Sequence, residues 1–290
     1  AVLVMRALRM LGMKARTRKQ MLENGFDERP APVPKPLMRG LTVSDFRHLG
    51  RKVWRLEKET QGSNTVILYF HGGAYMANIT GAHWTLAAKL AGETGAAVYV
   101  PDYPLVPRSV WKDTWSFSET LYRELAAKHA GARMVLMGDS AGGGLALALA
   151  ERLRDSGEGA PAEVILFSPW LDLGSDNPER AVLDPLDLIL SLEGLRSAAS
   201  KYADGEDLRD PRLSPLYGDF SGLSLSVFTC THDLLYADAA ALKRRLDERG
   251  IGFNYFEYPG LFHDWVIFTM LKEAEDAVGR AVRIIADRQL

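Results

Sequence analysis

The chain has 290 residues, a formal net charge of −2 and a single cysteine, Cys230. This length suits one large α/β domain with an ample core. The charge offers no basic field for a nucleic acid, and one cysteine rules out an intrachain disulfide, which is compatible with a reducing cytoplasm.

From the N-terminus, residues 1 to about 24 set Leu3, Leu8, Leu11 and Met21 at helical spacing among Arg6, Arg9, Lys14, Arg16, Arg18 and Lys19. Apolar residues come before the charges, the reverse of a secretory leader, and no apolar run approaches the roughly 20 residues of a bilayer span. The chain is therefore expected to be soluble and cytoplasmic. The segment fits either a helix lying on a membrane surface or a short amphipathic helix packed on the protein itself. Pro30, Pro32, Pro34 and Pro36 then form an extended linker.

Beyond it, strand and helix patterns alternate. Strands are expected over 42–48, 52–57, 66–70, 97–100, 134–137, 164–167, 225–230 and 253–258, and helices over about 81–94, 114–129, 142–155, 236–249 and 265–287. The alternation predicts an α/β fold with a mostly parallel eight-stranded sheet flanked by helices. The first two strands are too close for a crossover and should be antiparallel. Between 176 and 215 the alternation is interrupted by an insertion with a second helical pattern, for which Ser191 is the expected N-cap.

The chemistry concentrates at strand ends. Gly138-Asp139-Ser140-Ala141-Gly142 joins a buried strand to a helix, the context in which a serine is held on a tight turn with its hydroxyl exposed. His71-Gly72-Gly73-Ala74-Tyr75 follows the third strand, where adjacent glycines let backbone N–H groups approach a developing oxyanion. Asp233 follows the seventh strand and His263 the last, completing the order Ser, Asp, His. There is no HExxH, no paired Cys/His spacing, no P-loop lysine and no dinucleotide GxGxxG, so no metal or cofactor is expected.

On these motifs the chain resembles the hormone-sensitive-lipase-like family of α/β-hydrolases, the group of bacterial carboxylesterases and acetyl esterases. HGGAY is similar to that family's HGGG with Ala74 at the fourth place, and GDSAGGG matches its serine motif. Asp102-Tyr103-Pro104-Leu105-Val106-Pro107, Ser168-Pro169-Trp170-Leu171-Asp172 and Asp210-Pro211-Arg212-Leu213-Ser214-Pro215 add to a similarity running from about residue 40 to 290. Two departures stand out. Leu234 replaces the proline usual after the acid, and His263-Asp264-Trp265 replaces HxF with HxW.

The resemblance implies a catalytic domain over 41–290 and a helical cap made of 1–40 and the insertion at about 176–215, with the N-terminal helix over the substrate mouth. It also implies hydrolysis of short to medium acyl esters. Ser140 is the expected nucleophile, His263 its base and Asp233 the acid that orients the base, with Asp238 as reserve. The expected oxyanion donors are the N–H groups of Gly72, Gly73 and Ala141. Tyr75, Trp170, Leu188, Leu192 and Trp265 are candidates to line the pocket. Asp139 and Asp264 are expected to be structural, His71 to brace its loop, and His48, His83 and His129 to lie at the surface. As base, His263 should make kcat/KM fall as pH drops through roughly 6 to 7. Amide cleavage on the same machinery and a non-catalytic ligand receptor are the competing functions. The partner expected is a small-molecule ester, with no nucleic acid and no membrane span. Strand 253–258, if an exposed edge, could pair across a homodimer twofold.

Overall fold

The computed structural model describes residues 1–290 apart from 36–38, 61, 175 and 287–290. Pro36 and the end of the expected C-terminal helix thus lie outside the described residues. Eight strands form one sheet: β1 (Leu41–His48), β2 (Arg51–Lys58), β3 (Thr65–Phe70), β4 (Ala97–Pro101), β5 (Arg133–Asp139), β6 (Glu163–Phe167), β7 (Leu225–His232) and β8 (Asn254–Phe262). Their order is β1-β2-β4-β3-β5-β6-β7-β8. β1 and β2 pair antiparallel, as expected from their short connection, and β2 meets β4 antiparallel. All other pairs are parallel. β8 lies at one edge of the sheet.

Alternate side chains of β3 build two cores, as pleating requires. Val66, Leu68 and Phe70 join Leu121, Leu145, Leu149 and Leu242, contributed by α4 (Trp111–Lys128), α5 (Ser140–Asp155) and α8 (Tyr236–Glu248). Ile67 and Tyr69 face Trp84, Leu90, Ala277 and Val278 of α3 (Gly81–Thr94) and α9 (Lys272–Ile285). α5 runs against the sheet centre and is buried almost throughout its first three turns, from Ser140 to Glu151.

Helix boundaries follow local chemistry. The ring of His83 accepts the Thr80 N–H and closes a capping box that starts α3, and Gly95 at φ 67° ends it. α4 begins at Trp111, before the expected 114, because the Asp113 carboxylate accepts the Val110 N–H at 2.9 Å. The expected helix from 265 is instead a 3-10 turn, Trp265–Ile267, broken at Phe268 (φ −85°, ψ 65°), and α9 starts only at Lys272. The N-terminal pattern divides at Gly12 (φ 58°) into α1 (Val2–Met10) and α2 (Met13–Glu23).

The insertion carries α6 (Glu179–Leu183) and α7 (Leu192–Ala203). Ser191 caps α7 as expected, its Oγ accepting the Gly194 N–H at 3.1 Å. α2 lies on α7. The Met21 sulfur sits where a Cβ on Gly194 would approach to 2.8 Å, so a side chain there would have to displace it. Lys201 Nζ donates to the Met21 and Leu22 carbonyls at 2.7 and 2.9 Å, meeting the negative end of the α2 dipole. Lys14 pairs with Asp184, and Arg18 with Glu193.

Candidate active site

Ser140 is the first residue of α5 and has φ 51°, a left-handed backbone that costs a serine energy and needs surrounding structure to hold it. The flanking glycines explain how the turn fits. A Cβ on Gly138 would lie 2.3 Å from the Gly142 carbonyl oxygen, and one on Gly142 would lie 2.0 Å from that of Phe70. The Ser140 carbonyl accepts the Trp170 N–H at 2.9 Å, anchoring the elbow to the segment after β6.

The three side chains expected to act together do meet. His263 Nε2 lies 3.0 Å from Ser140 Oγ, and Nδ1 lies 2.9 Å from Asp233 Oδ2. The other Asp233 oxygen accepts the Leu235 N–H at 2.8 Å, which fixes the carboxylate's orientation. A proton on Nδ1 facing Asp233 leaves Nε2 free to accept from the serine. Ser140 and His263 are each only 3 % exposed and Asp233 is fully buried.

The expected reserve acid is engaged elsewhere. Asp238 is buried against Arg180 of α6 and accepts the Leu171 and Asp172 N–H groups at 2.9 and 3.0 Å. Asp187, which the sequence did not single out, instead reaches the acid's loop. Its Oδ2 accepts the Leu234 N–H at 2.8 Å and its Oδ1 those of Ile189 and Leu190. Burial, then the charge of Asp233, pushes its carboxyl up to about 6.

Asp139 organises the loop after β3. Its Oδ2 accepts the Gly72 N–H at 2.9 Å and faces His83 Nε2 at 3.3 Å, while Oδ1 accepts the Tyr69 hydroxyl. The Gly72 N–H, expected to face an oxyanion, is therefore turned onto a carboxylate. The N–H groups of Gly73 and Ala141 remain as candidates. His83 is a buried partner of Asp139 and not a surface residue. Burial works against its proton, but the Asp139 charge outweighs that and raises its pKa. His48 is also buried, contacting Glu124 at 2.7 Å and Thr120 at 2.9 Å. His129 meets the Tyr99 hydroxyl at 2.7 Å. His71 behaves as a brace. Its Nδ1 is 2.7 Å from the Gly72 carbonyl and its ring stacks on Tyr103 at 4.5 Å, while burial, followed by the nearby His83, drops its pKa to about 4 and keeps it neutral. Ala74 and Tyr75 both take positive φ, 54° and 59°, so the fourth place of the motif has a backbone that glycine would adopt more readily.

Asp264 departs furthest from expectation. Its left-handed backbone (φ 55°) swings the carboxylate back so that Oδ2 lies 3.1 Å from His263 Nε2. Its Oδ1 is buried without a hydrogen-bond partner. Burial disfavours a charged His263, yet Asp233 and then Asp264 outweigh it and raise its pKa well above the ordinary histidine value. Burial also lifts the Asp264 carboxyl to about 6.

Among the pocket candidates, Tyr75, Trp170 and Trp265 are packed in the interior at 2 % exposure or less. Tyr75 stacks face to face on Tyr202 of α7 at 3.8 Å. Leu192 is half-buried at the start of α7. Leu188 lines a cleft of about 530 Å³ between α1–α2 and the 185–188 segment, with Leu8, Met13, Lys14, Pro185 and Asp187 and none of Ser140, Asp233 or His263.

The sheet order, the strained serine turn and the hydrogen-bonded Ser-His-Asp chain define an α/β hydrolase. Residues 67–267 match the family described by the alpha/beta hydrolase fold. The chain belongs to that family and stands among carboxylic ester hydrolases. It is 34 % identical over 228 residues, 78 % of this chain and 76 % of the other, to an acetyl-hydrolase of Streptomyces hygroscopicus. An esterase of the bacterial hormone-sensitive lipase family superposes with a TM-score of 0.81 at 26 % identity, covering 94 % of this chain and 97 % of its own. A hormone-sensitive lipase from a metagenome library gives 0.84 at 25 % identity, covering 99 % and 98 %.

Proposed function

We propose that the protein is a serine carboxylesterase for short to medium acyl esters. The observation that carries this reading is the continuous chain from Ser140 Oγ through His263 to Asp233, with contacts of 3.0 and 2.9 Å. His263 takes the serine proton as Ser140 attacks the ester carbonyl, and Asp233 stabilises the imidazolium. The imidazolium returns the proton to the departing alkoxide, leaving an acyl-serine. Water, deprotonated by the same histidine, then attacks the acyl carbon and releases the acid. The N–H groups of Gly73 and Ala141 receive the oxyanion. Each such donor is worth on the order of 3 kcal/mol in comparable sites.

Residues 1–40 and the insertion at about 176–215 act as the cap. The near-complete burial of Ser140 and His263 supports a cap that must part for substrate to enter, and we assign the approach to the cleft beside Leu188 because its lining residue Asp187 accepts the Leu234 N–H next to the acid. A survey of p-nitrophenyl esters of rising chain length tests the reading. Turnover should be highest for the shorter chains and fall by about a millionfold in Ser140→Ala, and the wild-type acyl-enzyme should be trapped by mass spectrometry on Ser140. Equal or better cleavage of the matching anilides would move the assignment to amide hydrolysis.

A further inference from the structure

The outward face of α1 (Val2–Met10) exposes apolar and cationic side chains together. A helix on a soluble protein turns its apolar stripe inward and polar residues outward. α1 does the first: Leu8 is buried, with Val4 and Met5 packed on the core beside it. It does not do the second. Val2, Leu3 and Met10 are 64, 79 and 82 % exposed, and Leu11, just past its end, is 69 % exposed. At 100° per residue Val2, Leu3, Arg6, Arg9 and Met10 share one side, so this face carries only apolar and cationic groups. Leu186, next to the cleft residues Pro185 and Asp187, is exposed as well.

Charge identifies the occupant. Residues 1–22 contain six Lys or Arg and no Asp or Glu, in a chain whose net charge is −2. Lys14 and Arg18 are bound to the insertion, but Arg6, Arg9 and Arg16 make no ion pair among the described residues. Apolar side chains flanked by unpaired arginines, which can bury their stems while the guanidinium stays at headgroup level, fit an anionic lipid surface. Among the described residues no helix is long and apolar enough to cross a membrane, so the contact would be peripheral.

The geometry points to α1 as a docking face for anionic lipid surfaces, holding the mouth of the cleft against them. α1 and α2 form one wall of that cleft, so a chain resting on α1 presents it to esters at the interface. The binding stands on the surface alone, whereas the benefit to turnover rests on the esterase reading.

The test is sedimentation of the full chain with vesicles of phosphatidylcholine, with and without phosphatidylglycerol. Wild-type should bind the anionic vesicles at least tenfold more tightly, and the difference should shrink as salt screens it. Leu3→Ser with Met10→Ser, and separately Arg6→Gln with Arg9→Gln, should each lose most of that binding with unchanged circular dichroism and melting. Equal binding to both vesicle types at low salt would overturn the proposal. So would a dimer in sedimentation velocity that dissociates in the Leu3/Met10 variant, since the face would then belong to a second copy. Turnover of a soluble ester by wild-type, measured alongside, tests the esterase reading independently.

Discussion

His263 Nε2 is shared by two neighbours: Ser140 Oγ at 3.0 Å and the Asp264 carboxylate at 3.1 Å. A nitrogen lone pair facing a carboxylate is repulsive, so this contact favours a proton between them. The resting site therefore stabilises the imidazolium, the form that cannot deprotonate Ser140. This relocates the expectation of an activity loss between pH 6 and 7. Because the His263 pKa is raised, the base is neutral only at higher pH, and the acid limb of kcat/KM should lie above that of an ordinary histidine. Removing an anionic neighbour lowers a histidine pKa, so Asp264→Asn should move the acid limb down by about one pH unit or more. Asp264→Gly, which also relaxes the left-handed backbone, should do the same. A limb that stays in place in both variants would separate Asp264 from the base.

Asp139 receives three donors, from Tyr69, Gly72 and His83. An asparagine amide nitrogen cannot accept any of them. Asp139→Asn should release the Gly72 N–H and shift the neighbouring Gly73 N–H. The expected loss is about tenfold to a hundredfold in kcat, the scale of a misplaced oxyanion donor, with KM little changed. Gly73→Val is a poorer probe. At φ 125°, with its Cβ 2.5 Å from the Ala77 carbonyl, the valine would deform the loop itself.

Asp238 and Arg180 form a buried ion pair tying α6 to the segment after β6. Truncating one partner of such a pair strands the other charge and costs about 3–5 kcal/mol. Asp238→Ala should lower stability by that order in urea unfolding while the folded fraction keeps its turnover. Asp233→Asn should behave oppositely, losing activity with little change in the unfolding midpoint.

Glu151 on α5 has one buried oxygen without a partner, and burial pushes its carboxyl up to about 9. The unfolded chain loses this proton near pH 4 to 5, whereas the folded chain keeps it until near 9. The folded state thus holds the extra proton across that window, and stability falls as pH rises through it. Glu151→Gln, which mimics the protonated form, should raise the melting temperature by a few degrees at pH 8 and leave it unchanged at pH 4, as calorimetry would show.

Much was legible in the sequence because it depends on spacing along the chain. The buried runs Val66–Phe70 and Met134–Met137, the Gly-Asp-Ser-Ala-Gly turn and the helix 81–94 are local patterns, and the structure has them where the periodicity puts them. The same patterns set the α/β layering and the antiparallel start of the sheet. Ser140, Asp233 and His263 could be singled out because each ends its own strand, and parallel strands bring their ends to one rim.

What the sequence left open depends on directions in space. His83 looked like a surface histidine until the packing of α3 turned its ring onto Asp139. Asp187 carried no signal, since its contact with Leu234 spans 47 positions. The Gly72 N–H could have faced an oxyanion or a carboxylate, and the Asp139 rotamer decided it. Asp264 is expected from the sequence to be structural, yet a single left-handed φ of 55° brings its carboxylate to His263 Nε2. Patterning along the chain thus determined which residues line the rim of the sheet. Only tertiary packing decided which polar atoms meet there, because hydrogen bonds depend on torsions and burial that residue spacing does not encode.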